Sequence, residues 1–166
     1  LTIGSGGTMN LGSSTLILSG NLINNGTLNG SNGTIQVLAS TGDQTISGNA
    51  MTFAGLTVNK QTSGALIMEA DIAVTTLTMT QGNILNSALL TLGSGSANTG
   101  TLNHAAGIIT GEFRRYFPNG ANSSQSFPIG TASNLRDVSV NFPSSPGTDQ
   151  YLTASYVEGA PTLSGG

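Results

Sequence analysis

"LTIGSGG", residues 1–7, returns nearly unchanged as "LTLGSGS" at residues 90–96. In both copies apolar and hydroxyl residues alternate, then Gly and Ser turn the chain. Alternation with a period of two gives a strand one dry and one wet face. Glycine accepts positive φ, so the corner that follows can be tight. The same text recurs between the two copies. Short alternating runs stand at 15–18 ("TLIL"), 34–38 ("TIQVL"), 56–58 ("LTV"), 66–68 ("LIM"), 72–74 ("IAV"), 76–79 ("TLTM") and 89–92 ("LLTL"). Corner text separates them, as in "NNG" at 24–26, "NGSNG" at 29–33 and "QGN" at 81–83. No long window carries a helical period. Short strands at such spacing are made by a β-sandwich or a β-solenoid. Strands of three to five residues with recurring Asn corners favour the solenoid, in which stacked coils share one apolar column. On this reading the two copies are the same piece of a coil on different rungs.

Composition agrees with an all-β chain. Charged residues make up 7% of the 166 residues, against a usual share of about 25%. A helix needs Glu, Lys and Arg for its wet face. A strand makes do with Thr, Ser and Asn. Regular Leu, Ile and Val with a net charge of −3 argue against disorder. The four basic residues, Lys60, Arg114, Arg115 and Arg136, are too few to follow a phosphate backbone, so no nucleic-acid partner is expected. No apolar run is long enough to cross a bilayer, so no membrane insertion is expected. With no Cys there are no disulfides and no thiolate metal site.

The text changes near Gly111. The stretch "GEFRRYFPNGANSSQSFPIG" (111–130) gathers aromatic residues, prolines and two arginines, and longer alternating runs follow at 137–142 and 151–157. These last two suit an antiparallel pair turning at "SSPG" (144–147). The expected architecture is a right-handed β-solenoid over 1–110, a small β-rich, sandwich-like unit over 111–160, and a linker over 161–166. Expected core positions include Leu16, Leu18, Leu22, Leu28, Ile35, Val37, Ile46, Leu56, Val58, Leu66, Met68, Leu77, Met79, Leu90, Leu92 and Leu102.

Several motifs follow one another in a distinctive order: "NNGT" (24–27), "GTIQV" (33–37), "QTISG" (44–48), "FAGLTV" (53–58), "LTMTQG" (77–82), "GEFRRYF" (111–117), "SFPIGT" (126–131) and "RDVSVNF" (136–142). In that order the chain resembles a β-helical module of large secreted surface proteins of Bacteroidetes-type bacteria. The resemblance implies an exported, extracellular or cell-surface, adhesin-like or filamentous protein that is not an enzyme. Such proteins often leave by a type IX system, whose usual sorting domain does not appear in this sequence.

Chemistry-bearing residues are sparse, and no catalytic, cofactor or metal site is expected. Glu69 and Asp71, two apart, would share a strand face, but the repeated "GGxGxD" text of calcium-binding solenoids is missing. Arg114 and Arg115 should point to opposite faces, one pairing with Glu112 or Asp137. His104 reads as a corner or surface residue, since a triad needs a placed nucleophile and an orienting acid. Three functional readings result. In the first, the chain is a stalk module or filament subunit. Its N-terminal strand, Leu1, Thr2 and Ile3, leaves unpaired backbone groups for another copy or a further module of the same chain. In the second, Tyr116, Tyr151 and Tyr156 form a face for surface glycans. The third, a polysaccharide-cleaving β-helix, requires a cleft with Asp71 or Asp137 near an arginine.

Overall fold

A computed structural model describes residues 1–38, 42–60 and 64–159, and the stretch expected to be a linker, 161–166, lies outside the described residues. Among the described residues there are strands and no helix. In chain order they are β1 (Thr2–Ile3), β2 (Thr8–Asn10), β3 (Thr15–Leu18), β4 (Leu22–Asn24), β5 (Thr27–Leu38), β6 (Gln44–Gly48), β7 (Met51–Asn59), β8 (Leu66–Met68) and β9 (Ile72–Gln81). Then come β10 (Ile84–Asn86), β11 (Leu90–Leu92), β12 (Thr101–His104), β13 (Ile109–Thr110), β14 (Phe113–Tyr116), β15 (Ser123–Phe127), β16 (Val138–Phe142) and β17 (Tyr151–Ala154).

The strands wind into a β-solenoid of about five turns. One wall stacks β1, β4, β6, β8, β10 and β13, all in parallel. The other runs β2, β5, β7, β9, β11, β14, β17, with β3 beside β5 and β12 beside β9. Each turn has three stretches. The first rung makes the last two separately, as β2 and β3, while β5, β7 and β9 run through both. A register shift between Gly30 and Thr34 marks the bend in β5.

Register explains why these residues form these rungs. Parallel in-register pairing puts like positions above one another, so one inward residue per rung builds a column. Leu16, Ile35, Leu56, Leu77 and Leu102 form one column. Leu18, Val37, Val58 and Met79 form the next, which ends at His104. Met51, Ile72, Leu90 and Phe113 stack in a third; Phe53, Val74 and Leu92 stack in a fourth that ends at Arg115. The opposite wall contributes Leu22, Ile46, Met68 and Asn86, and Gln44, Leu66, Ile84 and Ile109. The expected core is therefore the observed one, with Leu16 and Leu102 only partly covered because they sit in the short strands of the first and fifth rungs.

The two near-identical heptapeptides do not occupy the same place. "LTIGSGG" forms β1 in the six-stranded wall, whereas "LTLGSGS" forms β11 in the other. Every corner of the coil demands the same chemistry, so a strand-plus-corner phrase does not say which side it builds.

The C-terminal part also departs from expectation. The coil continues past 110, since β14 pairs with β11 in the same parallel register. Strands β16 and β17 do not pair with each other. β16 pairs with β15, Phe127 opposite Val138, and β17 lies antiparallel on β14, Phe113 opposite Ala154. So 144–147 connects two different sheets rather than turning a hairpin. The physical reason is the open edge of β14, which β17 closes. Phe127 meets Phe113 edge-on at 5.8 Å and Phe142 meets Phe117 at 4.8 Å, sealing the last rung with aromatic residues.

Corners stack as tightly as strands. Gly48 has φ +102°, and a Cβ there would fall onto the Asn24 carbonyl of the rung before. Exchange of Gly48 for Ala is expected to cost at least about 2 kcal/mol, combining backbone strain with the clash. Leu56→Ala, in the middle of its column with no exposed area, should cost about 2–5 kcal/mol. Leu16→Ala, at the end of the same column, should cost clearly less. Urea melts of the three variants read these differences directly, and equal losses at Leu16 and Leu56 would contradict the column description.

Candidate functional site

Three regions merit attention: the first rung, the tyrosines, and the polar residues turned inward.

Among the described residues no strand pairs with the outer side of the first rung. Backbone bonds run from the Ile23 amide to the Leu1 carbonyl, from the Asn25 amide to the Ile3 carbonyl, and from the Thr34 amide to the Ser14 carbonyl. In a parallel ladder alternate residues point their backbone groups to opposite sides. Ile3, Met9 and Leu16 therefore face the second rung, while Thr2, Thr8, Thr15 and Ile17 turn their N–H and C=O outward. The Leu1 backbone nitrogen donates to the Asn21 carbonyl at 2.7 Å, and the Leu1 side chain is exposed. Thr2 is exposed too, whereas Ile3 points its side chain into the core. Ile17 is the residue that sequence reasoning missed. It heads an outward row continued by Gln36, Thr57, Thr78 and Asn103, all polar, yet it is itself aliphatic and 55% exposed. Knowing the rung register, rather than the local pattern, was needed to see it.

The tyrosines fall in two places. Tyr116 and Tyr151 are cross-strand partners on β14 and β17, with ring centroids 5.6 Å apart. The Arg114 guanidinium lies 4.3 Å over the Tyr151 ring and donates Nε to Thr153 Oγ1 at 3.1 Å, so one face of Tyr151 is already occupied. Tyr156 stands apart, packed partly against the core, with Arg136 5.8 Å over its ring. It lines an open groove of about 680 Å³ with Asp71, Asn86, Ser87, Glu112 and Ser155 among its walls. The groove runs down stacked corners of the coil, and the chain leaving β17 forms its far side.

Corner acids and amides bind the rungs together. Asn21 Oδ1 accepts the Thr45 amide, Asp43 Oδ1 the Ala65 amide, Asp71 Oδ1 the Leu89 amide and Asn83 Oδ1 the Ile108 amide, all at 2.7–3.0 Å. Glu69 and Asp71 are thus at a corner and not on a shared strand face. His104 is exposed at its corner, its Nε2 2.8 Å from the Gly107 carbonyl. Asp137 is exposed beside Arg136.

Inside the coil, Lys60 has no exposed area. Its Nζ donates to the Gly42 carbonyl at 2.7 Å and to Gln44 Oε1 at 2.9 Å, and Gln44 Nε2 donates on to the Leu18 carbonyl at 3.0 Å. Burial lowers the Lys60 pKa below its ordinary 10.5, and nearby Asp43 offsets part of that. Arg115 points inward as Arg114 points outward. Its Nη1 donates to the Ser126 carbonyl at 2.8 Å, and Nε has no partner. Neither arginine therefore takes the Glu112 or Asp137 pairing expected for one of them. Burial pushes the Arg115 pKa down to about 10, which leaves it charged at neutral pH. No protein-family model, curated protein or solved structure matches this chain.

The interior relay yields a paired test. Lys60→Met leaves buried Gln44 Oε1 unpaired and should cost about 1–3 kcal/mol. Adding Gln44→Leu, which continues the Leu66–Ile84–Ile109 column, should recover most of that. The folded state holds the Lys60 proton less tightly than the unfolded chain, so unfolding takes up a proton between the lowered pKa and 10.5. Stability at this site therefore rises with pH through that window. The wild-type-minus-Lys60→Met difference in unfolding free energy, followed by urea titration across alkaline pH, should climb accordingly; a flat or falling difference contradicts the assignment.

Proposed function

We propose that the chain is a structural module of an extracellular surface protein, an adhesin stalk element or filament subunit, that associates through the open edge of its first rung. The observation supporting this is the contrast between the two ends. At the C-terminal end two of the columns stop on Arg115 and His104, β17 closes β14, and phenylalanines cover the last rung. Among the described residues the first rung has none of these devices. Its columns begin with aliphatic Leu16 and Leu18, its strands keep outward backbone groups, and exposed Leu1 and Ile17 flank them. Solenoid ends left in this state template further pairing, and a head-to-tail contact whose rotation does not close gives an open fibre. The low charge and Thr/Asn-rich walls suit a stalk, and the motif order resembling Bacteroidetes-type surface modules points the same way. The partner in this reading is another copy, or a further module of the same chain.

Ile17→Pro provides the test. Proline fits an edge strand where the N–H faces outward, so the isolated fold should survive with a nearly unchanged melt. Sedimentation velocity and negative-stain electron microscopy should show end-to-end association of the wild type that rises with concentration and is lost in Ile17→Pro. A wild type that stays monomeric at every concentration, or a variant that associates equally well, contradicts the reading.

A further inference from the structure

Taking association through the first rung as the premise, we propose that β2 of one copy docks antiparallel on the outer edge of β17 in a second copy, with Thr8 and Asn10 hydrogen-bonding Thr153 and Tyr151 of that copy.

β2 and β17 are the two edges of one nine-stranded sheet. Among the described residues neither pairs with a further strand on its outer side. β17 runs antiparallel to β14, and β14 runs parallel to every strand of the sheet's path down to β2. A second copy set on the same axis therefore brings its β2 to β17 as an antiparallel pair. The opposite wall ends in the same way: Ile129 bridges Ile109 in parallel, and Gly130 then bridges Leu135 antiparallel.

The hydrogen-bond phases of the two edges match. The Phe117 amide donates to the Gln150 carbonyl at 2.9 Å, which makes those two a hydrogen-bonded pair. Such pairs alternate with non-hydrogen-bonded ones along an antiparallel ladder. With Arg115 opposite Leu152 and Tyr116 opposite Tyr151, Leu152 turns its backbone groups to β14, while Tyr151 and Thr153 turn theirs outward. On β2 the Gly7 carbonyl accepts the Thr27 amide, and the Leu11 amide donates to the Asn29 carbonyl. Thr8 and Asn10 consequently face away from β5. One register satisfies all four outward residues. It sets Thr8 opposite Thr153, Met9 opposite Leu152 and Asn10 opposite Tyr151.

The side chains agree with that register. Leu152 shares the inward face with Arg115 yet is 37% exposed. Met9, inward on β2, is only partly buried. Opposite one another, they carry the apolar interior across the boundary. Among the described residues, large hydrophobic side chains are exposed only in the first two rungs, as at Leu1, Ile17 and Ile23, and beyond residue 134, as at Leu135, Val138 and Leu152. Apolar area confined to the two ends marks the ends, not the walls, as contact surfaces. No Asp, Glu, Lys or Arg precedes Asp43 in the sequence. The first rung thus selects a partner with backbone groups and apolar side chains alone, and an unpaired strand edge with an exposed inward leucine answers both.

The chain has no Cys, so introduced cysteines report the joint cleanly. Met9 and Leu152 would form a non-hydrogen-bonded pair with Cα atoms about 4.5 Å apart, inside the ~4.4–6.8 Å span of disulfides. Full chains carrying Met9→Cys and Leu152→Cys are mixed under mild oxidation, at a concentration where the wild type associates in sedimentation velocity. A disulfide-linked dimer holding one of each should form, and either variant alone should stay monomeric on a non-reducing gel. Thr153→Pro, at an edge position whose N–H faces outward, should keep the wild-type melt and lose association. If the wild type associates but the mixture does not cross-link, or Thr153→Pro associates as well as the wild type, the β17 joint is wrong while association through the first rung stands. Disulfide-linked dimers of Met9→Cys alone would place first rung against first rung and overturn the joint as well. A wild type that never associates removes both.

Discussion

Everything in this molecule depends on parallel, in-register pairing of one turn with the next. That single constraint makes like residues sit over like, so Leu16, Ile35, Leu56, Leu77 and Leu102 become one continuous apolar column. It makes corners stack, so a glycine such as Gly48 is needed where a Cβ would strike the carbonyl below. It also aligns Asn21, Asp43, Asp71 and Asn83 so that each can accept an amide from the following turn. A chain with few charges and no disulfides is held together by repetition of these small contacts.

Much of this was legible in the sequence, and the limit has a physical cause. Period-two alternation marks inward residues, so Ile35, Val37, Leu56 and Val58 were identifiable as core. Alternation does not report register, however. The heptapeptides at Leu1 and Leu90 look equivalent yet lie in different walls, because all corners use the same Gly, Ser and Asn chemistry. The pairing of β16 and β17 was misjudged for a similar reason: both alternate, but the open edge of β14 competes for β17, and only the three-dimensional stack reveals that edge. Tyr116, Tyr151 and Tyr156 look like one group in the sequence. Tyr156 lies beyond the end of β17, apart from the cross-strand pair Tyr116 and Tyr151. Ile17 and the inward Lys60–Gln44 relay were invisible for want of a register to compare them with.

The two ends of the coil receive different treatment, and function is proposed from that difference. The C-terminal end stops three of its columns on the polar residues His104, Arg115 and Asn86, reverses strand direction with β17 and covers the result with phenylalanines. The first rung continues the apolar columns up to its edge.

Residue-resolved amide hydrogen exchange of the native chain, from dilute to concentrated solution, tests the open edge most directly. In dilute solution the amides of Thr8, Thr15 and Ile17 should exchange freely while those of Met9 and Leu16 are protected. At high concentration all five should be protected, as the edge finds its partner. Protection of Thr8, Thr15 and Ile17 already in the dilute monomer, or free exchange of all three at every concentration, would contradict the account.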